Sequence, residues 1–252
     1  MKRVICIILV AISLFAFSAC GYKVQQKTYA TDEQITAFFE GRDEFDDQSF
    51  KFKFTMTKTE KTRTSTVEDK ITAKGFFNNK GEDAYELEYS GKVKTVTKEW
   101  TADGKEKTTL KMSEKGVFFD NGNGDSYGFF DVKIKEKGPN VKSNLKKKTV
   151  EEDQEILLYI QLVYVEIAFA FMGAEYGGDY TFIEGDKIRF VEEFANNFGD
   201  GSYYTEFVIV YDGNKLKSAR YLIEYTNSKQ EIVLTFGDQK EVELPKNKEE
   251  YK

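Results

Sequence analysis

Histidine is absent from all 252 residues. That excludes Ser-His-Asp and Cys-His nucleophilic triads, imidazole general bases and most zinc or copper sites. Proline is nearly absent, with only Pro139 and Pro245. A chain this poor in proline, yet rich in Tyr, Phe, Thr and Val with glycine at intervals, suits long strands and tight hairpins and not a disordered stalk. The two cysteines, Cys6 and Cys20, both fall in the first twenty residues. Everything after them lacks a thiol, so the core has to hold without disulfides. Basic residues are outnumbered, and the formal net charge of −6 argues against a nucleic-acid partner.

What is present begins with an address. Met1, Lys2 and Arg3 are followed by an uncharged run, Val4 to Ala19, of signal-peptide length and marginal for a spanning helix. The run ends at Ala16-Phe17-Ser18-Ala19-Cys20-Gly21. Small residues just before a Cys resemble the lipobox of bacterial lipoprotein signal peptides, with Phe17 where Leu is usual. The resemblance implies diacylglyceryl transfer to Cys20, cleavage between Ala19 and Cys20, and a lipid anchor in the cell membrane on its extracytoplasmic face. Two acyl chains give stable anchoring where one is reversible. Loss of Lys2 and Arg3 makes the remainder two charges more negative.

The organisation expected is a signal peptide at 1–19, a tether at 20–30, one β-rich domain at 31–245 and a frayed charged tail at 246–252. Thr31 and Gln34 have capping-box spacing and open a short helix with Ile35, Phe38 and Phe39 at helical intervals. From Phe50 the period becomes two: Phe50, Phe52, Phe54 and Met56 alternate with polar residues, the mark of a half-buried strand. More strands follow with turn signals between them, including Asn79-Lys80-Gly81, Gly91, Asp103-Gly104 and, the clearest, Asp212-Gly213-Asn214. Val242 to Leu244 is read as a last short strand. The Lys-rich stretch Lys135 to Lys148 shows no apolar alternation and reads as a crossover loop, with Lys133 to Lys148 able to touch anionic head groups. Thr149 and Glu152 then have capping-box spacing before a helix, Ile156 to Met172, apolar except for Gln161 and Glu166 and stopped by Gly173.

A helix apolar all round is expected to be buried on most sides. With strands before and after it, burial against a large curved antiparallel sheet is favoured over spanning a membrane. The fold class is therefore mainly β (α+β): a half-barrel wrapping one apolar central helix, with a short N-terminal helix. The order of short helix, meander, apolar crossover helix and further strands resembles the lipoprotein-carrier fold of LolA, LolB and LppX-like proteins. The closing stretch from Phe207 to Pro245 is similar to the end of many anchored lipoproteins of that group. The resemblance implies that an acyl chain sits between the concave sheet and the inner helix. The ligand wall would then include Phe50, Phe52, Phe54, Tyr159, Tyr164, Phe169, Phe171 and Met172. Glu166 stands out among them, because a buried carboxylate needs a partner or an opening.

No catalytic set survives inspection. Asp120 to Asp131 fails as a calcium loop, with glycines at two ligand positions and Asp125 where Gly is required. Ser143-Asn144-Leu145-Lys146 matches Ser-x-x-Lys but lacks the partner motifs of penicillin-recognising enzymes. The carboxylates are too evenly spread to single out an acid–base pair. Neither catalysis, a metal nor a cofactor is expected. The expected function is binding of a lipid or other apolar ligand by a membrane-anchored protein. The alternative is an interaction lipoprotein of the cell envelope with a filled core. Oligomeric state is open.

Overall fold

The computed structural model describes residues 29–46, 48–81, 84–102, 104–151, 154–175, 180–195, 202–237 and 240–252. The expected signal peptide, the expected cleavage junction between Ala19 and Cys20, most of the expected tether, Asp103 and Glu152 lie outside the described residues. In chain order the elements are α1 (Asp32–Phe39), β1 (Phe50–Lys61), β2 (Ser65–Gly81), β3 (Ala84–Thr101), β4 (Gly104–Asn121), β5 (Ser126–Lys137), β6 (Lys142–Thr149), α2 (Glu155–Glu175), β7 (Thr181–Glu184), β8 (Lys187–Ala195), β9 (Ser202–Asp212), β10 (Lys215–Tyr225) and β11 (Ser228–Phe236). A 3-10 turn follows at Lys248–Glu250.

All eleven strands form one sheet in the order β6-β5-β4-β3-β2-β1-β11-β10-β9-β8-β7. Every pairing is antiparallel. The fold is mainly β, an open curved sheet with a short N-terminal helix and an apolar central helix. Two hairpin series, β1–β6 and β7–β11, are joined by the pairing of β1 with β11, in which Phe54 stands opposite Ile232. The sheet's edges are therefore β6 and β7, the strands that flank α2 in sequence. To connect them α2 has to cross the concave face.

Alternation decides which face is which. Phe50, Phe52 and Phe54 of β1, Leu87 and Tyr89 of β3, Ile209 of β9 and Ile232 and Leu234 of β11 are buried on the concave side. The convex side carries an ion-pair row: Glu206 accepts from Arg189 Nε at 2.5 Å and from Arg220 Nη1 at 2.6 Å, and Arg220 Nε reaches Glu231 at 2.8 Å. Burial pushes the Glu206 carboxyl up, but the two guanidinium groups outweigh it and hold it below the ordinary carboxylate range.

Several expectations are corrected. Gly91 is no turn; it lies inside β3, where an added Cβ would come within 2.6 Å of Ile156 Cγ2. The glycine lets the helix approach the strand. Lys135 to Lys148 is no crossover loop but the end of β5, a turn and the edge strand β6. Its charged, exposed residues hide the strand from a pattern search and blunt an open edge. Thr149 ends β6 and does not cap α2. The segment 242–244 forms no strand. The tail at 246–252, expected to fray, is held on the convex face, where Lys148 pairs with Glu250 and Tyr251 meets Phe129 at 5.4 Å; just before it, Asn78 Nδ2 donates to the Lys240 carbonyl and Val242 is buried. α1 keeps its expected cap, with Gln34 N donating to Thr31 Oγ1 at 3.4 Å and Thr31 N to Gln34 Oε1 at 2.9 Å.

Candidate functional site at the central helix and concave face

The site is built on α2 and on the strands beneath it. Inward, Ile156, Ile160, Val163, Ile167, Phe171 and Ala174 recur at helical spacing and are buried. They meet an aromatic floor. Phe50 stacks on Phe77 at 4.9 Å, Tyr164 stacks on Phe77 at 4.8 Å, and Phe171 stacks on Phe45 at 4.5 Å and meets Phe207 edge-on at 5.0 Å. Ring pairs at such separations add to plain area burial.

The residues expected to wall a ligand thus divide into three groups. Phe50, Phe52, Phe54, Tyr164 and Phe171 are brought together under the helix. They enclose almost nothing: the cavity lined by Phe50, Phe52, Phe77, Tyr164 and their neighbours holds about 20 Å³. That is room for about one water and no acyl chain. Tyr159 and Glu166 stand on one flank of α2. Phe169 and Met172 do not face the sheet. They share the outer side of α2 with Leu158, Leu162 and Val165, and Leu158, Leu162 and Met172 are 47%, 45% and 46% exposed. The expectation that α2 is buried on most sides is corrected accordingly. An all-apolar helix contains no polar stripe to mark its outward side, so composition alone did not separate the two faces. By length and composition this helix could cross a membrane, yet its inner side is packed on the sheet.

Glu166 has a partner. Its carboxylate accepts from Gln230 Nε2, and burial pushes it up against the opposing effect of that bond. Beside it the concave face turns polar and aromatic. Tyr225 also rises, by burial and by the nearby Glu166 charge, and burial raises Tyr221 still further. The Tyr203 hydroxyl, again through burial, is pushed up to about 12. At the other end of the same flank, burial raises Glu155, reinforced by Asp69, and raises Tyr159, reinforced by Glu155.

The site also holds a buried polar pair that the sequence pattern does not single out. Glu114 of β4 is 1% exposed and points inward, in register with Met112, Gly116 and Phe118. Its carboxylate accepts from the Tyr89 hydroxyl, from Ile156 N at 3.3 Å and from Leu157 N at 3.2 Å. It therefore caps the positive end of α2 from another strand. Burial is the largest influence and raises its pKa, although all three hydrogen bonds pull the other way. Tyr89 is raised by burial and by the Glu114 charge. A signal was present in the sequence: Glu114 interrupts the apolar alternation of β4 at an inward position. Most Lys residues of β6 lie on the convex side of the sheet. Lys148 is paired with Glu250, and Lys142 and Lys146 share its convex side, away from α2.

No family model matches this chain, and no curated protein matches it. One solved structure aligned with it is a β-barrel-like protein of the domain of unknown function DUF1849 from Brucella abortus. The alignment has 10% identity, covers 76% of this chain and 98% of that one, and has a TM-score of 0.24. The description of this chain as β-barrel-like rests on its own strand order: a single antiparallel sheet, curved and left open between β6 and β7, with a helix laid across the opening.

Proposed function

We propose that this chain is a lipid-anchored protein of the extracytoplasmic membrane face that takes up an acyl chain or similar apolar ligand between its concave sheet and α2, with α2 as the lid. One observation carries this reading: α2 is apolar on both sides. Its inner side is complementary to an aromatic floor, and its outer side presents Leu158, Leu162 and Met172 to the surroundings. A helix that serves only as a core element loses nothing by having a polar outer stripe. A lid that parts from the floor and slides along a ligand's hydrocarbon chain needs apolar surface all round. On this reading the filled floor, with about 20 Å³ free, corresponds to the lid lying closed. The resemblance of the stretch before Cys20 to a lipobox supports the anchor, and the order of helix, meander, crossover helix and strands resembles the lipoprotein-carrier fold.

A diazirine-bearing fatty acid tests the reading. Photolysis with the secreted domain is expected to label peptides containing Phe50 to Phe54 and Ile160 to Ile167, and native mass spectrometry to show about one acyl ligand per chain. An unlabelled protein with a clean apo mass sinks it. That outcome favours a second reading supported by the filled core itself: an anchored interaction lipoprotein with no ligand.

A further inference from the structure

With α2 packed on its floor, its outer side faces away from the ligand space and stands exposed at Leu158, Leu162 and Met172, so in that state it needs a separate occupant. Leu158, Leu162, Val165, Phe169 and Met172 form one continuous stripe, and no charged residue stands on it. The only charge between Ile156 and Gly173 is Glu166, which turns to the flank and binds Gln230. We infer that this stripe lies on the surface of a phospholipid bilayer, in contact with the acyl region just below the head groups. The inference rests on the reading that Cys20 is lipidated.

Three observations select a bilayer. The first is where the tether enters. Ala30 N donates to the Thr181 carbonyl at 2.8 Å, and Tyr29 packs on Tyr180 and Phe182 at 5.2 and 5.4 Å. The described chain thus begins against β7, the strand that follows the C-terminal end of α2. Cys20 precedes Tyr29 by nine residues, a reach of at most about 30 Å when fully extended. An acylated Cys20 confines the domain to that distance from the membrane, so even a weak apolar contact acts at high effective concentration.

The second is size. The spacing of the stripe, four then three residues, is that of a coiled-coil seam, which makes a second copy of the chain the obvious rival. From Leu158 to Met172 it runs only about 21 Å and is about 10 Å wide. That flat footprint of about 200 Å² is one narrow stripe, whereas a stable interface removes roughly 800 Å² of accessible surface from each partner over about 20–30 residues. Apolar contact with a bilayer has no such threshold once an anchor is in place. The third is charge. The chain is anionic at −6 overall, and the Lys-rich side of β6 faces away from the helix. Contact through hydrocarbon, and not through acidic head groups, is what the surface fits.

The test uses the full chain, processed and acylated in a bacterial host, in phosphatidylcholine vesicles. Leu162→Trp is made in a Trp100→Phe background, so that one indole reports on the stripe. The reference is the unmodified chain, whose single Trp100 is 48% exposed and lies on the opposite face of the sheet. Doxyl-labelled phosphatidylcholine is expected to reduce the Leu162→Trp emission about twofold or more and to leave Trp100 unchanged. No quenching at position 162, or equal quenching of both indoles, overturns the inference. So does a blue-shifted, unquenched indole in a protein that is dimeric in detergent, because a second copy then covers the stripe. Intact mass of the same preparation separates this result from the proposed function. Missing acyl mass at Cys20 removes the premise and overturns the docking inference. Quenching in a protein with no bound ligand overturns the ligand reading alone.

Discussion

Glu114 does two jobs at one point, taking the first free N–H groups of α2 and tying them through Tyr89 to β3. Removing the side chain with Glu114→Ala leaves two backbone donors and a phenol unpaired in a dry site, and is expected to cost about 2–4 kcal/mol. Glu114→Gln retains an acceptor and shape, and is expected to lie within about 1 kcal/mol of the parent at neutral pH. The pH dependence separates charge from shape. The folded-state pKa of Glu114 is raised above its ordinary value of 4.5. Its contribution is therefore fully present below that value and is lost as pH rises through the raised one. Glu166 is raised as well, so its contribution falls with rising pH in the same direction. Urea midpoints measured across pH are expected to show the parent losing ground to Glu114→Gln as pH increases. A parent–variant difference that stays constant with pH would show that Glu114 does not titrate as argued. Both residues were visible in the sequence as polar breaks in apolar runs. Glu166 is the more conspicuous of the two, because a carboxylate in a helix body without other charges stands out more than one in a strand full of Lys and Glu.

Among the elements, those with strong periodicity were readable. The alternation Phe50-Phe52-Phe54 named a strand and its buried face, and the capping box at Thr31 named the start of α1. Elements whose reason is tertiary were not. Gly91 looks like a turn because glycine often is one; only the approach of Ile156 explains it within an unbroken strand. The site was legible in part for the same reason. Composition identified α2, but its division into a packed side and an open side depends on where the sheet lies. β6 was hidden because an edge strand is shaped as much by what it has to avoid as by what it packs. Lys142, Lys146 and Lys148 line its convex side and keep another chain from adding to the open ladder. Lys148 also holds the tail through Glu250, so the cleaner test leaves it in place. Lys142→Val with Lys146→Val is expected to change stability by less than about 1 kcal/mol while promoting concentration-dependent association, read by light scattering. A variant that remains monomeric at high concentration would mean that another feature guards this edge.

For the whole molecule, the order of strands places the first and the last next to each other at the centre of the sheet. Each half is a meander of hairpins, whose pairings are local in sequence. The seam between β1 and β11 joins Phe50 with Phe236 and Phe54 with Ile232, across nearly the full length of the domain. Closing so long a loop costs more entropy than forming any hairpin, and the cost comes before the seam can return any burial. The seam is therefore expected to form late, after the half-sheets and with α2 still loose, because α2 packs on floor residues from both halves: Phe77 and Leu87 from one, Phe207 and Leu234 from the other. Pulse-labelling hydrogen exchange during refolding tests the order. Amides of the β3–β4 ladder, such as Leu87 and Phe118, are expected to gain protection first, and those of Phe52, Phe54, Ile232 and Leu234 last. The same order bears on the lid role proposed for α2. If the floor is complete only when the seam closes, α2 is the last large element to dock and the least costly to release, as a lid has to be. Simultaneous protection of seam and hairpins would instead describe one cooperative unit, in which α2 could not lift without loosening the sheet.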